Sequence, residues 1–205
     1  MIRIPLLLTL LFFFSHASYG QNADIKLLRE INLNRNKSLD GTFKIITKTS
    51  PYISVALPIS MLGIGLVEND STLARKAIVI GTSVVAAGII TQVMKKCINR
   101  TRPFVTYPDI ECMTSAGSAS FPSGHTSDAF SLAASLSMEY SKWYVVVPSY
   151  AWATTVAYSR LHLGVHYPSD VLAGAAIGIG SAYLCHYLNK KLFKQTNVVK
   201  WLPYR

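Results

Sequence analysis

The chain has 205 residues, the length of one ordinary domain. Half of them are hydrophobic and only 15% are charged, against about 25% charged in soluble globular chains; with a mean hydropathy of +0.30, this balance argues against a soluble globular enzyme and against a disordered chain. Lys and Arg number 20 against 10 Asp and Glu, a net charge of +10, and these cations punctuate long apolar runs instead of gathering on one soluble face, so they imply a membrane and no nucleic acid partner.

Arg3, an apolar run over 4–14 and the small residues Ser15 to Gly20 follow the pattern of a secretory signal peptide cut after Gly20. The run is short of the roughly 20 residues that span a bilayer; retention as an anchor is the alternative. Either outcome puts residue 21 onward outside the cytoplasm. Across 21–50, Ile25, Leu28 and Ile31, then Leu39, Phe43 and Ile46, recur at helical spacing. This segment is expected at the periplasmic interface. It either lies on the membrane surface, with Lys26, Arg29, Arg35 and Lys37 near head groups, or packs on the membrane domain.

Four uncharged stretches follow, 49–67, 77–94, 143–159 and 171–189, each close to one helical crossing. A fifth segment, 126–140, would cover only about 22 Å at 1.5 Å per residue; it reads as a further span joined to the next by the turn at Ser141-Lys142, or as a buried re-entrant helix. The expected fold is an all-α polytopic bundle of about five transmembrane helices after the signal peptide, six if that is retained. Its membrane domain covers 51–188, and 189–205 forms a basic cytoplasmic tail. That tail holds Lys190, Lys191, Lys194, Lys200 and Arg205 with no acid, in keeping with the positive-inside rule. The basic stretches 26–48 and 95–102 fall outside and run against that rule. Cys97, Cys112 and Cys185 form no zinc-like pattern; Cys97 and Cys112 either pair in an oxidising compartment or remain inert thiols.

Ionisable residues at a membrane edge are costly and therefore functional candidates. On this topology three polar clusters meet at the outer interface: Lys95 to Pro103, Pro122-Ser123-Gly124-His125, and Ser159 to Asp170. Lys95, Arg102 and Arg160 supply cations, Arg binding phosphate oxygens in a fork and Lys as a point charge. Ser123 and Gly124 open a helix whose free N–H groups and positive end favour an anion. His125 and His166 can divide the roles of nucleophile and acid, and Asp170 can hold one ring nitrogen of His166. The arrangement predicts a phosphate cradle.

Lys95-x6-Arg102-Pro103, Pro122-Ser123-Gly124-His125 and Ser159-Arg160-x5-His166-x3-Asp170 resemble the three-part signature of the type 2 phosphatidic acid phosphatases. Their superfamily also holds bacterial acid phosphatases and vanadium haloperoxidases. No defining position is substituted, and 51–188 resembles the family's helical core. The resemblance implies a metal-independent phosphatase without a cofactor, acting on a lipid phosphate of the bacterial envelope. Candidates are phosphatidylglycerol phosphate, undecaprenyl pyrophosphate, phosphatidate and lipid A. It implies His166 as the nucleophile that becomes a phosphohistidine, Asp170 as its orienting acid and His125 as general acid. Lys95, Arg102, Ser123, Gly124 and Arg160 would bind the phosphate oxygens. The implied place is the inner membrane with the site on the periplasmic face; no obligate protein partner is evident. A vanadate-dependent haloperoxidase and a non-enzymatic phospholipid-binding protein are the alternatives.

Outside these positions the residues read as structural. Lys96 and Arg100 snorkel, His162 makes a structural hydrogen bond, and His186 ends a span; Asp128, one helical turn after His125, either favours the helix N-terminus or contacts the site, the former preferred. Tyr107, Tyr167 and Trp143 suit interfacial belts, and Gly174, Gly178 and Gly180 suit close helix packing.

Overall fold

The computed structural model describes residues 22–195, with side chains through 191. The signal-peptide reading and the last ten residues of the basic tail lie outside the described residues. A helix α1 over 22–33 is followed by a 3-10 turn, Lys37–Leu39, and by α2 (Asp40–Val67), α3 (Ser71–Ile98), α4 (Pro103–Thr106), α5 (Gly124–Glu139), α6 (Trp143–His162) and α7 (Pro168–Gln195).

Local chemistry sets the boundaries. Asn36 accepts from the Ser38 N–H and starts the 3-10 turn. Asp70 caps α3 by accepting from the N–H groups of Thr72 and Leu73, satisfying donors that a helix start leaves unpaired. Asn99 ends α3 at φ 45, a left-handed conformation that Asn tolerates better than most residues. Pro103 and Pro168 occupy the first helical positions of α4 and α7, where the missing N–H costs nothing.

The five expected spans fall within α2, α3, α5, α6 and α7. Among the described residues three helices are long and apolar enough to cross a membrane by themselves, Lys37–Val67, Ser71–Thr106 and Pro168–Lys191. With 16 residues, α5 reaches only about 24 Å. It is the central helix, packed against α2, α3, α6 and α7, so protein shields it where lipid would not. Ile53, Val55 and Ile59 on α2, Val85 and Ile89 on α3, and Leu172 and Leu184 on α7 stay exposed, the outer surface a bilayer requires of an embedded bundle.

Close approach of α5 and α7 depends on glycine. A Cβ on Gly178 would sit 2.3 Å from the Ser127 carbonyl oxygen, and one on Gly174 would sit 2.5 Å from that of Ser123. Small residues allow this because lipid offers no hydrophobic drive for helices to associate.

Three expectations change. Residues 40–50, expected in the interfacial segment, form the first turns of α2, and residues 189–195, expected in the tail, form the last turns of α7. Tyr167 is no interfacial belt residue: it is buried with Ile25, Leu28 and Ile110 in a cluster that fixes α1 over one end of the bundle, beneath the Arg100 guanidinium, 3.8 Å from the ring centroid. Cys97 and Cys112 are exposed and unpaired.

Gly178→Ala should destabilise the bundle by ~1–3 kcal/mol or more through overpacking. The equivalent change at Gly180, whose Cβ would meet nothing within 4 Å, should be nearly neutral. Thermal unfolding of both variants in the same detergent checks the contrast.

Candidate functional site

The C-terminal ends of α3 and α6, the N-terminus of α5 and the turn before α7 come together at the end of the bundle that α1 covers. Lys95, Arg102, Gly124, His125, Arg160 and His166 line a single cavity there, of about 300 Å³. Residues separated by 71 positions of sequence, from 95 to 166, thus face one small volume.

Three of them are buried cations. Lys95, Arg102 and Arg160 are 7%, 8% and 3% exposed, and none makes an ion pair with a carboxylate among the described residues. The Lys95 ammonium donates to the Ala119 carbonyl. Arg102 donates from Nε to the Ser118 carbonyl at 2.7 Å and from Nη1 to the Val165 carbonyl at 2.7 Å. Arg160 donates from Nη1 to Thr47 Oγ1 at 2.5 Å, while its Nε is buried with no partner. Cations stripped of water and held in no carboxylate ion pair make a strong demand for an anion. An oxyanion carrying several acceptor oxygens meets it best.

His166 closes the cavity. Its Nδ1 lies 3.3 Å from Asp170 Oδ2, and its Nε2 lies 3.3 Å from Arg102 Nη1. With Asp170 ionised, Nδ1 carries the proton and Nε2 keeps its lone pair. Burial, foremost, then the nearby Arg160 and Arg102, push the His166 pKa down to about 3 against the opposing hydrogen bond that Nδ1 donates to Asp170, which favours the neutral imidazole at neutral pH. Gly164 shapes this turn: its φ is +70 and a Cβ would fall 2.4 Å from the Glu111 carbonyl oxygen, a position open only to glycine.

Asp170 is fully buried and lies behind His166, outside the cavity lining. Its Oδ1 accepts from Arg100 at 2.7 Å; its Oδ2 accepts from Ser120 Oγ at 2.5 Å and the Tyr167 N–H at 2.9 Å. Arg100 also reaches Asp24 of α1 at 2.7 Å, and Asp24 in turn accepts from the Ser169 N–H at 2.8 Å. Arg100 is therefore no snorkelling surface cation; it holds the carboxylate that holds the histidine. It could have been suspected as a second membrane-edge Arg two residues before Arg102. Asp24 carries no sequence signal, because its partner lies 76 residues away.

Ser123 departs from the expectation. It is fully buried, its hydroxyl pairs with Thr126 Oγ1 at 2.9 Å and its N–H donates to the Asp170 carbonyl, so it braces α5 against α7 and leaves Gly124 to face the cavity. Asp128, for which the helix start is the preferred reading from sequence and contact with the site the alternative, lines the cavity, as does Gln92. His162 has its structural role: Nε2 meets Asp40 Oδ1 at 2.8 Å. Asp40 also binds Arg35, and Arg35 with Lys37 binds Glu111. His186 pairs with Glu139 at the far end of the bundle. Among the described residues, no three His, Cys, Asp or Glu side chains group as a metal site.

A family model for the PAP2 superfamily matches residues 76–194. The chain is 40% identical over 76 residues to a lipid A 4'-phosphatase of Bacteroides thetaiotaomicron, a match taking in 37% of this chain and 34% of that protein. It is 31% identical over 152 residues to the undecaprenyl-diphosphatase BcrC of Bacillus subtilis, covering 74% of this chain and 75% of the other. The chain thus spans about a third of the first relative's length and three quarters of the second's. Among solved structures, LpxE of Aquifex aeolicus superposes with a TM-score of 0.71 at 28% identity, covering 80% of this chain and 95% of that one.

Arg100→Leu should destabilise the protein by ~3–5 kcal/mol, because it leaves the buried Asp170 carboxylate short of its cation. Arg29→Leu breaks the exposed pair with Asp109 and should cost under ~1 kcal/mol. Unfolding midpoints of the two variants in one detergent measure the difference.

Proposed function

The chain belongs to the PAP2 superfamily, and on that premise we propose that it is a membrane-bound, metal-independent phosphatase of lipid phosphates. It would sit in the bacterial inner membrane with its active site on the periplasmic face. One observation carries the reading: a histidine oriented by a buried carboxylate shares a cavity with three buried cations that make no carboxylate ion pair and with a second histidine.

Phosphoryl transfer asks mainly for positioning and for compensation of spread negative charge. Lys95, Arg102, Arg160 and the backbone at Gly124 would hold the non-bridging oxygens. His166 Nε2 attacks phosphorus; the bond from phosphorus to the leaving oxygen breaks, and His125 gives that oxygen its proton. Negative charge on the bound phosphate favours the protonated form of His125 before this step. Water then attacks the phosphohistidine, His125 takes one proton from it, and the electron pair of the P–N bond returns to Nε2 as phosphate leaves. Asp170 stabilises the imidazolium character that His166 gains, as the acid of a catalytic triad does.

A site at one end of an embedded bundle meets amphiphiles first, which supports a lipid substrate. The named relatives act on lipid A and on an undecaprenyl diphosphate; phosphatidylglycerol phosphate and phosphatidate present the same reacting group.

Phosphate release from at least one of these lipids in detergent, with chelator throughout, should be robust. His166→Ala should abolish it while lipid binding persists, and His125→Ala should slow it by roughly 10²–10⁴-fold. An aryl phosphate, whose leaving group needs no proton, should recover the first step in His125→Ala and build up phosphohistidine. Release that survives His166→Ala, or that stops with chelator, would overturn the proposal.

A further inference from the structure

The cavity has a second layer. Along α3, which runs toward the site, Gln92 comes three residues before Lys95. Along α5, which runs away from it, Asp128 comes three residues after His125. Both therefore lie one helical turn, about 4.5 Å, deeper toward the bundle centre than the groups that face the phosphate. Both line the cavity. The Asp128 carboxylate is half-buried and has no hydrogen-bond or ion-pair partner among the described residues; Gln92 is exposed, and its amide likewise has no partner there.

That layer is where the leaving group must pass. A lipid held by its terminal phosphate at the outer end, with its chains in the bilayer, runs its first leaving-group atoms past His125 and then past Asp128 and Gln92. We infer that Asp128, with Gln92, selects the leaving group: the site takes a phosphate borne on a head group rich in hydroxyl or amide hydrogen-bond donors, a sugar or a glycerol, in preference to one borne on a polyprenyl chain. The inference rests on the phosphatase reading and narrows its substrate class.

The reason is the asymmetry of buried polar groups. A sugar or glycerol hydroxyl donates to the Asp128 carboxylate, and a neighbouring hydroxyl or amide pairs with Gln92. A prenyl chain offers only C–H groups, so its binding would strip water from a carboxylate and an amide and return nothing. A polyprenyl diphosphate is worse placed: with its terminal phosphate in the cradle, its second phosphate approaches the Asp128 layer as a like charge. Sites built to bond a hydroxyl reject analogues that lack it far more strongly than apolar pockets reject an extra methylene.

The test is kcat/KM of the wild-type protein in mixed micelles on lipid A, phosphatidylglycerol phosphate and undecaprenyl diphosphate, repeated for Asp128→Asn, Asp128→Leu and Gln92→Leu. The wild type should favour at least one of the first two over undecaprenyl diphosphate by about 100-fold or more, and the lipid A and glycerol arms tell sugar from glycerol. Asp128→Leu should shrink that ratio at least tenfold, lowering the favoured substrate while sparing or raising undecaprenyl diphosphate. Asp128→Asn, which keeps the shape and removes the charge, should raise undecaprenyl diphosphate most, and Gln92→Leu should move the ratio in the same direction by less. A wild type that prefers undecaprenyl diphosphate needs no variant to fold and would overturn the inference; so would Asp128 variants that scale all three substrates equally. Absence of release from every lipid would instead overturn the phosphatase reading beneath it.

Discussion

Asp170 has no contact with solvent, and a carboxylate in that position has to be matched donor by donor. Its donors come from separate stretches of chain: Arg100 after α3, Ser120 in the loop before α5, and His166 and the Tyr167 N–H in the turn before α7. Satisfying one buried charge therefore ties together the segments that carry the cavity's cations and His166. Helix α1 joins the same network through Asp24 and closes the end of the bundle with Leu28 and Ile25. The same contacts that stabilise this end hold His166 to one tautomer and one orientation, so stability and chemistry share a single arrangement.

Much of this was legible in the sequence because a membrane makes polar residues conspicuous. Charges such as Lys95, Arg102 and Arg160 next to apolar runs have few uses besides function, and the apolar runs themselves place α2, α3, α6 and α7. Gly174 and Gly178 of α7 announced close packing, which the Ser123 and Ser127 carbonyls explain, while Gly180 meets nothing. Less legible was anything decided by contacts between distant segments. Arg100 and Lys96 carry equal charge near the same helix end, and only the fold gives Arg100 a buried carboxylate. Tyr167 looks like an interfacial aromatic until α1 covers it. Ser123 sits at a helix start, where free N–H groups favour an anion, yet its hydroxyl finds Thr126 first. Asp128 suits the first turns of any helix; which way it faces depends on how α5 seats against α3.

Helix length completes the picture. A helix of 16 residues cannot meet lipid along a full crossing, so α5 is set at the centre, where neighbours supply its surroundings. That places its N-terminus, with Gly124 and His125, below the rim and among the cations. The short helix is thus the element that recesses the cavity, and the depth it creates puts Gln92 and Asp128 in a layer below Lys95 and His125.

The central claim is that these separated residues enclose one tetrahedral anion with His166 poised to attack it. An experimental structure of the protein with bound orthovanadate, which adopts the five-coordinate geometry of phosphoryl transfer, tests it most directly. The account predicts vanadium bonded to His166 Nε2, its equatorial oxygens within hydrogen-bond distance of Lys95, Arg102 and Arg160, and His125 beside the oxygen opposite His166. Vanadate bound elsewhere, or bonded to another side chain with those cations turned away, would contradict it.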